Sequence, residues 1–142
     1  MANICIVNHD VKTIVRGKRN IYSWLRAVAT KESKHIDSLT IILCSDEFLL
    51  DMNRNHLNHD YYTDVITFDL SDNPSFINGE IYISIDRVNE NALSLKQSPT
   101  DELHRVMIHG LLHLLGYKDK TTQQQKLMRK KEDEYLNERK AI

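Results

Sequence analysis

Apolar residues recur along this chain in two rhythms, one of strands and one of helices. Residues 3–7 (NICIV) and 38–44 (SLTIILC) are short apolar runs and read as strands. Between them Ile21, Trp24, Leu25 and Val28 recur at i, i+3, i+4 and i+7, which predicts a helix over 18–32. Ser45 fits the N-cap of a short helix holding Phe48, Leu49 and Met52. Residues 56–63 (HLNHDYYT) show no useful period and predict a loop. Residues 64–70 (DVITFDL) and 80–86 (EIYISID) predict two more strands. Between these, Asn73-Pro74 and Asn78-Gly79 supply turn chemistry that suits antiparallel neighbours. Three helices follow, near 86–97, 101–116 and 121–139. Pro99 separates the first two, and Thr122 with Gln125 fits a capping box opening the last. The order βαβαββααα predicts an α+β fold, a small sheet with helices packed mainly on one face.

The 142 residues suit one domain over 1–142. A formal net charge of −1 does not mark a nucleic-acid binder, which is more often basic, but it leaves room for a local basic patch. Cys5 and Cys44 lie in strand-like runs without a C-x-x-C pair and are expected to be buried free thiols. Nothing resembles a signal peptide, and no run approaches the ~18 apolar residues of a membrane span. A cytoplasmic protein with no membrane partner is the expectation. The middle of the last helix, KLMRKKEDEYL, offers Leu127, Met128 and Tyr135 for burial and otherwise reads as a solvated charged face.

Candidate chemistry concentrates in HGLLHLLGYKDK, residues 109–120. At about 100° per residue, His113 falls about 40° from His109, on the same face and one turn along. Met107, Leu111 and Leu114 fall opposite, so the helix turns its apolar arc to a core and its imidazoles away from it. Gly116, about 20° from His109, leaves room there and can take the left-handed conformation that ends a helix. The chain can then turn back and bring Asp119 over the histidines. The pattern H-x3-H-x5-D offers two imidazoles and a carboxylate, a common three-ligand catalytic zinc set with a fourth position open for water. A metallopeptidase helix would place a glutamate general base after the first histidine. Gly110 stands there instead, which argues against peptide hydrolysis.

H-G-L-L-H-L-L-G-Y over 109–117 resembles the signature of the YbeY family, bacterial metal-dependent rRNA endonucleases. T-D-V-I-T-F over 63–68 and G-E-I over 79–81 resemble two further blocks of that family, in its order and spacing. The resemblance implies a four-stranded mixed sheet, a metal site on a central helix at a cleft mouth, and one zinc ion per chain held by His109, His113 and Asp119. It implies single-strand-specific endoribonuclease activity in 16S rRNA 3′-end maturation and ribosome quality control. Expected partners are single-stranded and ribosomal RNA, the small ribosomal subunit, and ribosomal or GTPase assembly proteins. Two positions depart from the family. Asp119 stands where the family usually has a third histidine, and Leu57 stands where it commonly has an arginine.

No catalytic side chain is certain from sequence, the water held by the metal being the expected reactive group, with Arg54 as a candidate stand-in for the missing arginine. Tyr117 beside the motif, and His59, Tyr61 and Tyr62 in the preceding loop, are candidate RNA contacts, because aromatic rings stack unpaired bases. Two other readings differ in class: a ribosome-assembly factor with weak or absent nuclease activity, and a zincin-like peptidase. A structural metal site is normally closed by four protein ligands. Three clear ones favour an open, catalytic site.

Overall fold

The computed structural model describes residues 3–139. Its elements are β1 (Asn3–Asn8), α1 (Lys18–Lys31), β2 (His35–Cys44), α2 (Asp46–Leu57), β3 (Val65–Asp69), β4 (Phe76–Ser84), α3 (Ile85–Leu95), α4 (Pro99–Leu114) and α5 (Thr122–Asn137). The fold is α+β, and the order of elements is the one the patterning predicts. The four strands form one mixed sheet in the order β1-β2-β4-β3. β1 and β4 both run parallel to β2, and β3 pairs antiparallel with β4.

Alternation along the strands sets the two faces. Leu39, Ile41 and Leu43 of β2 and Ile77, Ile81 and Ile83 of β4 belong to the main core, with apolar residues of α1, α3, α4 and α5. Cys44 and Ile66 pack on the other side with Leu49 of α2. Four helices therefore share one face, and α2 alone contributes to the other core. α4 approaches the sheet closely at Gly110, where a Cβ would lie 2.8 Å from Ile81 Cγ2. Position 110 thus lies against the sheet, which leaves no room for the glutamate of a metallopeptidase.

Several local expectations are corrected. Asn78-Gly79 is not a turn: it lies inside β4, with Gly79 paired to Leu39 and Asp69. Glycine is required there by contact, since a Cβ would sit 2.8 Å from the Phe68 carbonyl oxygen. The reversal is made earlier, by the Ser71 hydroxyl and the Asn73 side chain. α2 runs on through His56 and Leu57 before Asn58 ends it at φ 55. Pro99 starts α4 rather than preceding it, a position where its missing N–H costs nothing and Ser98 caps the helix. The capping box of α5 joins Thr121 to Gln124, one residue earlier than expected. Cys5 is exposed because β1 is an edge strand, while Cys44 is buried and both thiols are free. Leu127 is exposed, whereas Met128 and Tyr135 are buried.

His104 on α4 gives the fold a pH dependence. It is 2% exposed and its Nδ1 accepts from Arg139 Nη1 at 2.6 Å. Burial, then the positive Arg139, lower its pKa from 6.5 to about 4. Between those values the unfolded chain takes up a proton that the folded chain refuses. Stability is therefore lost as pH falls from 6.5 towards 4, by about 3 kcal/mol for a shift of this size. Urea denaturation at pH 7 and pH 4.5 should show a smaller loss in His104→Asn, which keeps an acceptor near Nδ1 and does not titrate.

Candidate metal centre and its clefts

The centre is built at the end of α4, where the helix must stop without losing its last carbonyls. Gly116, at φ 106, allows the chain to reverse there. The Gly116 N–H donates to the His113 carbonyl and the Tyr117 N–H to that of Leu112, both at 3.0 Å. This pairing is a Schellman cap. It turns the Tyr117 carbonyl back over the helix, where it accepts from His113 Nδ1 at 3.0 Å. A carbonyl can only accept, so His113 carries its proton on Nδ1 and presents the Nε2 lone pair.

His109 is oriented in the same way from another element. Its Nδ1–H donates to Glu132 Oε2 of α5 at 2.6 Å. Glu132 is 5% exposed, and its other oxygen accepts from Arg105 Nη1 at 2.9 Å. Burial would raise the Glu132 pKa, but the His109 and Arg105 hydrogen bonds outweigh it and hold the carboxyl ionised.

With both Nδ1 atoms spent, the two Nε2 atoms face each other at 3.0 Å. Asp119 Oδ2 completes a triangle, 3.3 Å from His113 Nε2 and 3.4 Å from His109 Nε2. Two lone pairs and a carboxylate at such separations repel unless a positive charge lies among them. A tetrahedral ion with bonds of ~2.1 Å spaces its ligand atoms by about 3.4 Å, so the donor set fits a divalent metal. Among the described residues this is the one group of three histidine, cysteine or carboxylate side chains close enough to share an ion.

The triangle lies between two clefts. One, of about 440 Å³, runs along α5 and is lined by Glu102, Arg105 and Arg129 among others. The second, of about 310 Å³, runs towards β3 and the loop after α2. Asp64, His109 and Asp119 border both. Asp64 is fixed at the end of β3, its carbonyl accepting from the Ser84 N–H at 2.9 Å, and burial raises its carboxyl pKa.

The structure brings some of the sequence candidates here and leaves others away. His59 and Tyr61 line the β3-side cleft with their rings stacked at 5.1 Å. Asn53 fixes that loop, accepting from the His59 N–H at 3.1 Å and donating to the Tyr61 carbonyl at 2.8 Å. Leu57 lines the same cleft. Arg54 does not fill the place of the missing arginine: its Nε donates to Asp60 at 2.5 Å, and it borders neither cleft. Tyr62 also borders neither, its hydroxyl donating to Glu47 at 2.8 Å and its ring lying 5.3 Å from the Arg87 guanidinium. The Tyr117 ring packs against the core and its hydroxyl donates to Glu32 Oε1 at 2.8 Å, so what it brings to the centre is its carbonyl.

Sequence reading missed Glu132, Glu102 and Arg105. The last two were findable, because 102, 105, 109 and 113 form one stripe along α4 at i, i+3, i+7 and i+11. Glu102 is 4% exposed, and one of its carboxylate oxygens is buried with no partner among the described residues.

An α+β fold whose helix α4 and following turn carry a His-His-Asp triad between open clefts defines a candidate metal-dependent hydrolase. Comparison with known proteins makes this specific. Residues 6–140 match the family Endoribonuclease YbeY. The Endoribonuclease YbeY of Cytophaga hutchinsonii is 52% identical over 137 residues, covering 96% of each chain. That of Flavobacterium psychrophilum is 46% identical over 129 residues, covering 91% of each. The solution structure of a Thermotoga maritima protein superposes with a TM-score of 0.66 at 30% identity, covering 95% of this chain and 87% of that one. The chain belongs to the endoribonuclease YbeY family. Among its described residues, no helix is long and apolar enough to cross a membrane.

Proposed function

We propose that this chain is a zinc-dependent, single-strand-specific endoribonuclease that matures the 3′ end of 16S rRNA and serves ribosome quality control. One zinc ion per chain is held by His109, His113 and Asp119, and residues 1–142 act as a single catalytic domain. The observation that carries this reading is the triangle of donor atoms at 3.0–3.4 Å, set between two open clefts in a chain of this family. Its partners are single-stranded ribosomal RNA in the small subunit and the proteins that assemble it, which places it in the cytoplasm.

Zinc bound there would act as a Lewis acid on a phosphoryl oxygen and lower the pKa of a water towards neutrality. The protein's own groups prepare that chemistry. Glu132 and the Tyr117 carbonyl each accept a hydrogen bond from an Nδ1–H, so both Nε2 lone pairs are aimed before metal arrives. Asp119 brings a carboxylate where a histidine is usual, which removes one unit of charge and suits the site to harder divalent ions as well. His59 and Tyr61 offer a stacked platform for an unpaired base beside the centre.

The test pairs metal analysis with end-labelled RNA. The purified protein should carry one zinc per chain and cut single-stranded RNA and a 16S precursor, while leaving duplex RNA intact. A chelator should abolish cleavage and added zinc restore it. Metal-loaded protein that leaves both single-stranded substrates whole would exclude the nuclease. Asp119→Ala should lose at least about tenfold in zinc affinity, judged against the 10–100-fold typical of removing even an outer partner. Undiminished affinity, read with a competing chelating dye, would remove Asp119 from the ligand set.

A further inference from the structure

Asp64, His109 and Asp119 border both clefts, so a chain bound across the metal site can extend into either. The two linings differ in charge. The β3-side cleft carries Leu57, His59 and Tyr61, with no lysine or arginine among its lining residues. The α5-side cleft carries two arginines together with Asp64, Glu102, Asp119 and Glu132, and those carboxylates oppose entry of a polyanion.

The two arginines are not equivalent. Arg105 is 16% exposed at its side chain, and both ends of its guanidinium are engaged, by Glu132 at 2.9 Å and Asp133 at 2.8 Å. Arg129 is 59% exposed at its side chain, and its approach to Glu132, at 3.8 Å, is too long for a hydrogen bond. Its donors remain open towards a cleft that also holds two metal-ligand candidates.

We propose that Arg129 is the phosphate anchor of the α5-side cleft, holding the RNA backbone on one side of the bond to be cut. This rests on the endoribonuclease reading. A planar guanidinium grips a phosphate through two parallel hydrogen bonds. Arg129 thus supplies, from the last helix, the cation that neither Leu57 nor the Asp60-bound Arg54 provides on α2. The charged run of α5 is then not uniformly a solvated face.

The experiment is steady-state cleavage of a single-stranded oligoribonucleotide at several salt concentrations by the parent, Arg129→Lys, Arg129→Gln and Arg129→Glu. Losing one phosphate contact should raise KM about three- to tenfold in Arg129→Gln, with kcat within about twofold. The slope of log(kcat/KM) against log[salt] should become shallower by about 0.7, the value for one contact to a single strand. Arg129→Lys should keep the parental slope, and Arg129→Glu should raise KM further. Zinc per chain and circular dichroism should not change. Unchanged KM and slope in both Arg129→Gln and Arg129→Glu would overturn the proposal, and so would a fall in kcat at constant KM. A parent that cuts no RNA would instead sink the nuclease reading. In that event fluorescence anisotropy with the same RNA decides the anchor, and equal Kd for parent and Arg129→Gln would reject it.

Discussion

His113→Ala should fold, lose its metal and stop cutting RNA. The side chain is 25% exposed and points away from the sheet, so its removal opens no core cavity. The turn that follows is held by backbone bonds from Gly116 and Tyr117, which survive the change. What disappears is one corner of a three-atom set, together with the partner of the Tyr117 carbonyl. Affinity for zinc should drop by more than about 100-fold, beyond the usual loss from removing an outer partner. Cleavage should fall with occupancy. Metal per chain, circular dichroism and RNA cleavage on one preparation check all three. Retention of stoichiometric zinc would show that the ion is held elsewhere.

Glu132→Ala is expected to act on both stability and metal, because one carboxylate orients His109 and pairs with Arg105. Its loss leaves His109 free to rotate and Arg105 without its buried partner. Breaking a buried pair typically costs about 3–5 kcal/mol. The low end applies, since Asp133 still holds the other end of Arg105. Zinc affinity should fall about 10–100-fold, as for other carboxylates that orient a ligating histidine. Glu132→Gln separates the two effects. It keeps an acceptor for His109 Nδ1 and so should retain more of the metal affinity, while the ion pair with Arg105 is lost. Urea denaturation reads the first effect and a competing chelator the second. Equal metal affinity in the parent and Glu132→Ala would show that His109 needs no orienting partner.

Much of the fold was legible because it is written locally. The helical period fixed α1, and the alternation of Ile81 and Ile83 fixed the buried face of β4, although Ile85 and Asp86, read as the end of that strand, begin α3 behind the Ser84 cap. The His109–His113 spacing and Gly116 foretold a stripe and a reversal at the end of α4. What sequence left obscure depends on contacts made at long range. Asn78-Gly79 has the chemistry of a turn, yet Gly79 is spent on the approach of β3 and α4. Cys5 sits in an apolar run, but an edge strand leaves it exposed. Glu132 lies 23 residues from His109 in a run of charges, and nothing local distinguishes it from its neighbours. Tyr117 was noticed for its ring, while its backbone carbonyl does the orienting.

The turn after α4 is also tied down at a distance. Tyr117 donates to Glu32 at the end of α1, and Glu32 accepts from Tyr135 of α5 as well. Glu132, on the same α5, orients His109. A metal ion at the triad would therefore bind more tightly to a chain whose last helix is docked. Occupancy and docking form one linked equilibrium, each stabilising the other by RT ln(1 + [M]/Kd). Removing a bound ion would take that same increment of stability away from the docked helix.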